Sequence, residues 1–303
     1  MLKATLLKAA ASPTLKRQVT SNPVAWRVAR RFIAGDRLDD AERTLRELNG
    51  AGMSVALDHL GENTESHAQA RRATAAYLAA LDRIQDERLD ANISIKLTAL
   101  GLDLGPEIAA EGAAKVAARG KEVGAMVGVD MESAAYVDRT LDLVASLQES
   151  YDDVGVCLQS YLHRTPADLE RLNGLGIPVR LVKGAYREPP EVALQRKAEV
   201  DAAFERLLDV LIRDNAYPMV ATHDERLVAL TKSLVASHRR DRSTFEFQML
   251  LGVRRDLQAQ VVAEGYRLRV YVPYGGEWYP YFMRRLAERP ANLYFFLSNL
   301  MKR

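Results

Sequence analysis

The sequence is poor in cysteine, has no long apolar run and lacks a glycine-rich nucleotide fingerprint, and each shortage closes off a class of protein. A single cysteine, Cys157, stands among 303 residues, which excludes an internal disulfide and any cluster of thiolate ligands. It lies in the apolar run VGVCL and reads as an inert core residue. No uncharged stretch reaches the roughly 20 residues that a membrane-crossing helix needs, so the chain is not read as an integral membrane protein. Acidic residues are missing from the beginning: the first 35 residues hold seven Lys/Arg and no Asp/Glu, although the whole chain balances 42 basic residues against 40 acidic ones. No apolar core and cleavage site of the secretory kind follows that basic start, which suits a packed or surface helix with basic edges better than a transit peptide. Elsewhere the basic residues are mixed with acids and no nucleic-acid reader is recognisable, so no nucleic acid is expected as a partner.

What is present is a rhythm. After an opening helical region that includes Val24–Phe32 and Asp36–Leu48, short β-rich runs alternate with longer amphipathic segments. The runs are Ser54–Asp58, Ile93–Leu97, Met126–Asp130, Val154–Leu158, Val179–Val182, Met219–Thr222, Phe245–Met249 and Leu268–Val272. Between them lie helical stripes such as Phe204, Leu207, Leu208 and Leu211. Eight such units in roughly 250 residues predict a parallel sheet closed into a (β/α)8 barrel. Residues 1–50 form an N-terminal helical segment ahead of a barrel over 51–303. An open doubly wound sheet is the alternative, and the missing G-x-G-x-x-G after the first run counts against it.

Polar residues stand at the downstream ends of the runs: Asp58 and His59, Lys96, Asp130 and Glu132, Gln159, Lys183, His223 and Asp224, Gln248, and Tyr271. Barrel enzymes assemble their sites there, from several strands at once. Lys96 and Lys183 are the more telling, since each directly ends an apolar run, ISIKL and VRLVKG. A lysine drawn out of water must meet an anion or shift its pKa. Three chemistries compete. Lys96 or Lys183 as a Schiff-base nucleophile would make a flavin-free lyase or aldolase, but that requires an apolar pocket and the rim is crowded with carboxylates and arginines. Asp58, His59, Asp130 and His223 as metal ligands lack a sharp spacing, and no metal is expected. In the third reading Arg180, Lys183 and His223 form a positive floor for a phosphate-bearing cofactor while Arg284 and Arg285 hold a substrate acid. This last engages the most residues and leaves the fewest charges without a role.

The stretch from Arg269 to Glu288, RVYVPYGGEWYPYFMRRLAE, organises the rest. Its opening alternates like a strand, Pro273 and Gly275–Gly276 break it, and Trp278–Glu288 reads as a helix with Pro280 in its first turn. Tyr281, Arg284, Arg285 and Glu288 then fall at i, i+3, i+4 and i+7 on one face. Two adjacent guanidiniums there are suited to a small carboxylate, because their planar donors match its geometry and stay charged at any relevant pH.

With these motifs in place the chain resembles the monofunctional bacterial proline dehydrogenases. The matching strings are ISIKLTALGLD around Lys96, VGVDMES around Asp130, LQSYLHRT from Leu158, RLVKGAYRE from Arg180, ATHDERL from Ala221, FEFQMLLG from Phe245 and the closing YVPYGGEWYPYFMRRLAER. They occur in order, one per expected strand, from about residue 50 to about residue 290. The resemblance implies a distorted TIM-like (β/α)8 barrel with extra N-terminal helices and a final helix over its mouth. It also implies FAD held without covalent attachment and oxidation of L-proline to 1-pyrroline-5-carboxylate by hydride transfer to the flavin.

Carried over position by position, it places Lys96, Arg284 and Arg285 on the substrate carboxylate, Tyr271 and Tyr281 beside the substrate, and Glu288 as a gating partner for Lys96 or an arginine. Asp130 and Arg180 match active-site residues, Arg180 lying near the reactive edge of the flavin. Met131, Gln159, Lys183, Gly184, Ala185, Thr222 and His223 match FAD contacts. The departures are Arg289 and Leu251, where an asparagine and an aromatic are expected. Tyr271, smaller in hydroxyproline-preferring relatives, favours unsubstituted proline. No aldehyde dehydrogenase region follows the barrel, so the product is expected to pass to a separate pyrroline-5-carboxylate (glutamate semialdehyde) dehydrogenase. The resemblance also implies a membrane quinone as electron acceptor. A cytoplasmic chain is expected, peripheral on the inner face of the membrane if the basic start or the apolar helix 292–301 touches the bilayer; an oligomer is compatible with the same sequence.

Overall fold

Eight strands, each followed by a helix, close into a parallel barrel with strand order β1 to β8. This computed structural model describes residues 13–20 and 23–288. Three helices precede the barrel: α1 (Pro13–Thr20), α2 (Pro23–Ala29) and α3 (Leu38–Gly50). The barrel itself runs β1 (Ser54–His59), α4 (His67–Asp86), β2 (Ala91–Ile95), α5 (Pro106–Val123), β3 (Val127–Val129), α6 (Val137–Gln148), β4 (Val154–Gln159) and α7 (Thr165–Gly174). It continues with β5 (Val179–Val182), α8 (Lys197–Asp214), β6 (Pro218–Ala221), α9 (Glu225–Ser237), β7 (Glu246–Leu250), α10 (Arg255–Ala263), β8 (Leu268–Tyr274) and α11 (Trp278–Glu288). No described helix is long and apolar enough to cross a membrane.

The strands form where the sequence alternates, and the alternation decides what faces inward. In β2, Ile93 and Ile95 are buried in one cluster with Tyr77, Leu81 and Ala113 of the neighbouring helices. The two-residue period turns Ser94 to the opposite face, into the barrel. The same division holds in β8, where Leu268, Val270 and Val272 join that cluster while Arg269 and Tyr271 make polar contacts across the interior. Barrels of this type usually fill their interiors with branched apolar side chains. Here the interior is largely polar, which must be matched group by group because an unpaired buried charge is costly.

Most strand ends fall one or two residues from the sequence reading, and the two largest shifts have a physical cause. The second run stops at Ile95, before Lys96 and Leu97, because its last partner on β3 is Val129. The Ile95 carbonyl then accepts from the Asp130 amide at 2.9 Å and the chain turns, with the Leu100 amide on the Lys96 carbonyl. Pro273 does not break the last strand. Beyond Leu250, paired with Tyr271, β7 no longer flanks β8, so the missing N–H of Pro273 forfeits no ladder bond. Ala34 instead donates to the Pro273 carbonyl at 2.9 Å, while β1 stays paired out to Tyr274.

An isolated helix of this length is marginal in water, so α11 depends on tertiary packing. Trp278, Tyr279, Phe282, Met283 and Leu286 form a second apolar cluster with Val28, Ala29, Phe32 and Ile33 and with Leu60 and Val253 of two rim loops. Trp26 and Trp278 stack tilted at 5.1 Å, and Lys16 donates to Glu277 at 2.5 Å. The N-terminal helices thus hold the last helix over the C-terminal ends of the strands. Helix 292–301 and Arg289, singled out in the sequence, lie outside the described residues.

Candidate active site

The strand ends deliver a buried polar network. Lys96, 7% exposed, donates to Asp58 at 2.7 Å, to Asp130 at 3.1 Å and to the Tyr271 hydroxyl at 3.4 Å. Arg180 donates through Nη1 to Asp130 Oδ1 at 2.5 Å and through Nη2 to Ser94 Oγ at 3.1 Å. Tyr271 Oη donates to Asp130 Oδ2 at 2.6 Å. Ser94 Oγ donates to Asp130 Oδ1 at 2.7 Å, so Asp130 is the hub, taking two cations and two hydroxyls.

Burial pushes the Lys96 ammonium down, but the charges of Asp58, Tyr271 and Asp130 win and its pKa stands well above the usual lysine value. Burial also raises the Asp130 carboxyl, and there Lys96 and Arg180 win, holding it below the usual carboxylate range. Asp58, fully buried, goes the other way: desolvation dominates the pull of Lys96 and raises it. A protonated, doubly paired Lys96 is no Schiff-base nucleophile, which removes that reading of the strand end. Lys183 is likewise taken, 2.6 Å from Asp201 and 3.5 Å from Asp224.

The loops after β5 and β6 supply the other wall. Gly184 has φ +121, and a Cβ there would lie 2.3 Å from the Tyr161 ring; only glycine fits both demands. Lys183, Gly184, Ala185, Thr222 and His223 line the cavity, as does Met131 after β3. His223 Nε2 accepts from the Leu250 amide at 2.9 Å, which places the proton of the neutral ring on Nδ1. Gln159 does not line the cavity. Its side chain, 3% exposed, donates to the Glu132 carbonyl at 2.8 Å and accepts from the Ala185 amide at 3.3 Å, bracing the wall from behind.

Over the mouth, Tyr281, Arg284 and Arg285 of α11 face the same cavity. Arg284 Nη1 donates to Glu62 Oε1 at 2.9 Å, and the Arg285 guanidinium stands 5.1 Å from the Tyr281 ring centre. The carboxylate partner of Arg284 is thus Glu62, in the loop after β1, where the sequence reading looked to Glu288. Glu288 closes α11, and its side chain lies outside the described part of the structure. The carboxylates on Lys96 are Asp58 and Asp130.

The cavity so enclosed measures about 670 Å³ and is walled by six lysines and arginines against four carboxylates. Of the expected site residues whose side chains are described, all but Gln159 line it. Unassigned beforehand were Glu62, Tyr186, Lys197 and the role of Asp58. Burial raises the Tyr186 hydroxyl, with Glu62 and Glu132 adding to it, so the phenol is a neutral donor. Cys157 is buried yet borders the cavity; desolvation lifts its thiol to about 11, which keeps it unreactive. Among the described residues no group of three or more His, Cys, Asp or Glu side chains is arranged to hold a metal. The net positive, partly apolar chamber suits a small anionic substrate beside a larger ring system.

The proline dehydrogenase family model matches residues 41–297. Proline dehydrogenase 1 of Bacillus subtilis subsp. natto is 40% identical over 275 residues, 91% of each chain. The proline dehydrogenase of Deinococcus radiodurans is 39% identical over 282 residues, again 91% of each. Among solved structures, proline utilization A from Bdellovibrio bacteriovorus, inactivated by N-propargylglycine, superposes with a TM-score of 0.81 at 26% identity, covering 87% of this chain and 33% of that one.

Proposed function

Since the chain belongs to the proline dehydrogenase family and is an oxidoreductase acting on proline, we propose that its cavity holds L-proline through Lys96, Arg284 and Arg285 beside non-covalently bound FAD. The observation that carries this is the convergence on one chamber of an ammonium from just beyond β2 and two guanidiniums from α11. Lys96 is locked protonated by Asp58 and Asp130, so it serves as a cation and not as a base. Arg284 uses Nη1 for Glu62, which leaves the rest of its fork to a carboxylate.

The residues present fit a flavin. Arg180 Nε is buried with no hydrogen-bond partner, a donor for which an acceptor atom of a bound ring system would account. Lys183 and Lys197 line the adjoining wall and suit a pyrophosphate. Met131, Gly184, Ala185, Thr222 and His223 would complete that side. When bound, FAD supplies the two-electron oxidant that turns the C–N bond of proline into the imine of 1-pyrroline-5-carboxylate.

The protein's own part is position. Cations on the carboxylate fix which edge of the proline ring faces the interior, and orientation of this kind can remove several kcal/mol of barrier, about 7 at the lower end. Tyr271 is held by Asp130 at 2.6 Å and packs where the substrate ring would lie, leaving little room for a ring hydroxyl. Arg180, pinned by Asp130 and Ser94, presents fixed positive charge where negative charge develops in the reaction. We assign electron transfer onward to a membrane quinone, and further oxidation of the product to a separate dehydrogenase for the semialdehyde.

The test is spectroscopic. The purified protein, as isolated or after reconstitution with FAD, should show flavin absorbance that bleaches anaerobically on addition of L-proline. A protein that takes up no FAD, or whose flavin is indifferent to proline, overturns the reading.

A further inference from the structure

The loops at the barrel mouth are linked in a belt that ends on the Arg284 contact. Gln159 at the end of β4 donates to the Glu132 carbonyl at 2.8 Å. The Glu132 carboxylate, 5% exposed, accepts twice from Thr98: from the hydroxyl at 2.6 Å and from the amide at 3.2 Å. Thr98, which is wholly buried, then reaches the loop after β1. Its Oγ1 accepts from the Asn63 amide at 3.1 Å, and its carbonyl accepts from both the amide and the hydroxyl of Thr64. Next to Asn63 is Glu62, the partner of Arg284.

Asn63 has φ +56, a left-handed conformation uncommon for a residue other than glycine and strained unless its surroundings enforce it. The Thr98 hydroxyl is the group that receives its amide. That hydroxyl has one hydrogen, which it gives to Glu132, and a lone pair, which it offers to Asn63. No aliphatic side chain can do both. We infer that Thr98, oriented by Glu132, is a positioning residue for proline binding: it fixes the backbone at Asn63 so that Glu62 meets Arg284 across the mouth, and thereby sets the affinity for the substrate carboxylate. This rests on the assignment of Arg284 to that carboxylate. Thr98 does not itself line the chamber and touches its wall only through Glu132; its effect on Arg284 passes through Glu62.

The experiment is a mutant cycle read by steady-state kinetics, in full-length protein whose flavin content is measured. Thr98→Val keeps the shape and removes the hydroxyl; it should raise the proline KM about fivefold to tenfold with kcat within twofold of the parent. Thr98→Ser, which keeps the hydroxyl, should return KM to within twofold. In a Glu62→Gln background, Thr98→Val should have no further effect on KM, because the residue it positions no longer makes its ion pair. Glu132→Gln, which can satisfy only one of the two Thr98 donors with its single oxygen, serves if Thr98→Val does not fold; because it also removes a carboxylate from the chamber wall, it is read through the cycle, and its rise in KM should be smaller in the Glu62→Gln background than in the parent. An unchanged KM in Thr98→Val or, failing that, in Glu132→Gln overturns the inference, as does an effect of equal size with and without Glu62. Failure of the parent reading looks different: the unsubstituted protein itself would not be reduced by proline.

Discussion

The Arg180 guanidinium occupies the place where position 128 would carry a side chain. A Cβ built on Gly128 of β3 falls 2.9 Å from Arg180 Nη2. Arginine can cross the barrel from β5 to Asp130 and Ser94 only because the strand between offers bare backbone. Gly128→Ala should therefore displace the guanidinium, which two hydrogen bonds hold in place, while leaving the strand intact. The expected outcome is at least a tenfold loss of kcat with a change in melting temperature of a few degrees at most. Rapid-reaction reduction and thermal melts of the same preparation check it; unaltered kinetics would mean that Arg180 is not positioned as argued.

Asp130 balances two buried cations, so removing its charge should be felt in stability as well as in rate. Asp130→Ala strands Arg180 and leaves Lys96 with Asp58 alone. Breaking a buried pair from one side typically costs about 3–5 kcal/mol. Asp130→Asn keeps one acceptor and should cost less than the alanine change. Denaturant titration of the three proteins should give the order parent, Asn, Ala, and equal midpoints would show that the network relaxes into water.

Arg284→Met tests the carboxylate clamp directly. A charge-assisted hydrogen bond contributes about 1.5–3 kcal/mol, so the proline KM should rise roughly tenfold to a hundredfold. Flavin content should be unchanged, because the side proposed for the cofactor is the wall supplied by the loops after β5 and β6. Unchanged proline kinetics in this variant would remove Arg284 from the substrate.

The parts that could be read from the sequence are those that obey a period. Ile93, Ser94, Ile95 and Lys96 alternate two by two, which announces both a strand and the inward side of it; Tyr281, Arg284 and Arg285 share a helical face for the same kind of reason. Glu62 has no such signal. It sits in an irregular loop, and its meaning depends on an arginine 222 residues further on. Tyr186 stands inside a motif that was recognised, yet nothing local distinguishes it from its neighbours. Asp58 looks like one more polar strand end, because its pairing with Lys96 depends on the register between β1 and β2 and leaves no trace in either segment alone. Pro273 misled because its missing N–H matters only if a neighbour strand is there to receive it.

His59 supplies a pH dependence whose sign can be worked out. Its ring lies edge-on to Tyr77 and Tyr274, at 6.0 and 5.2 Å. Burial lowers its pKa below 6.5, against the pull of Asp58 and with the help of Lys96. As the pH falls through 6.5 the unfolded chain takes up a proton at this position while the folded chain does not, so stability falls. The contribution of His59 is therefore present above pH 6.5 and is lost toward the depressed folded value, with a slope of at most about 1.4 kcal/mol per pH unit. Asp58 and Glu132 act oppositely: their raised carboxyls keep protons longer in the fold, so they stabilise as the pH falls through the region above 3.8 and 4.5. Asp130, depressed, loses its contribution only below 3.8. A parent measurement alone would mix these. His59→Phe keeps an aromatic edge for both tyrosines and does not titrate, so the difference between the two proteins isolates the histidine. Between pH 7 and pH 5.5 the parent should lose more unfolding free energy than the variant, and parallel curves would show that the ring is protonated as readily in the fold as outside it.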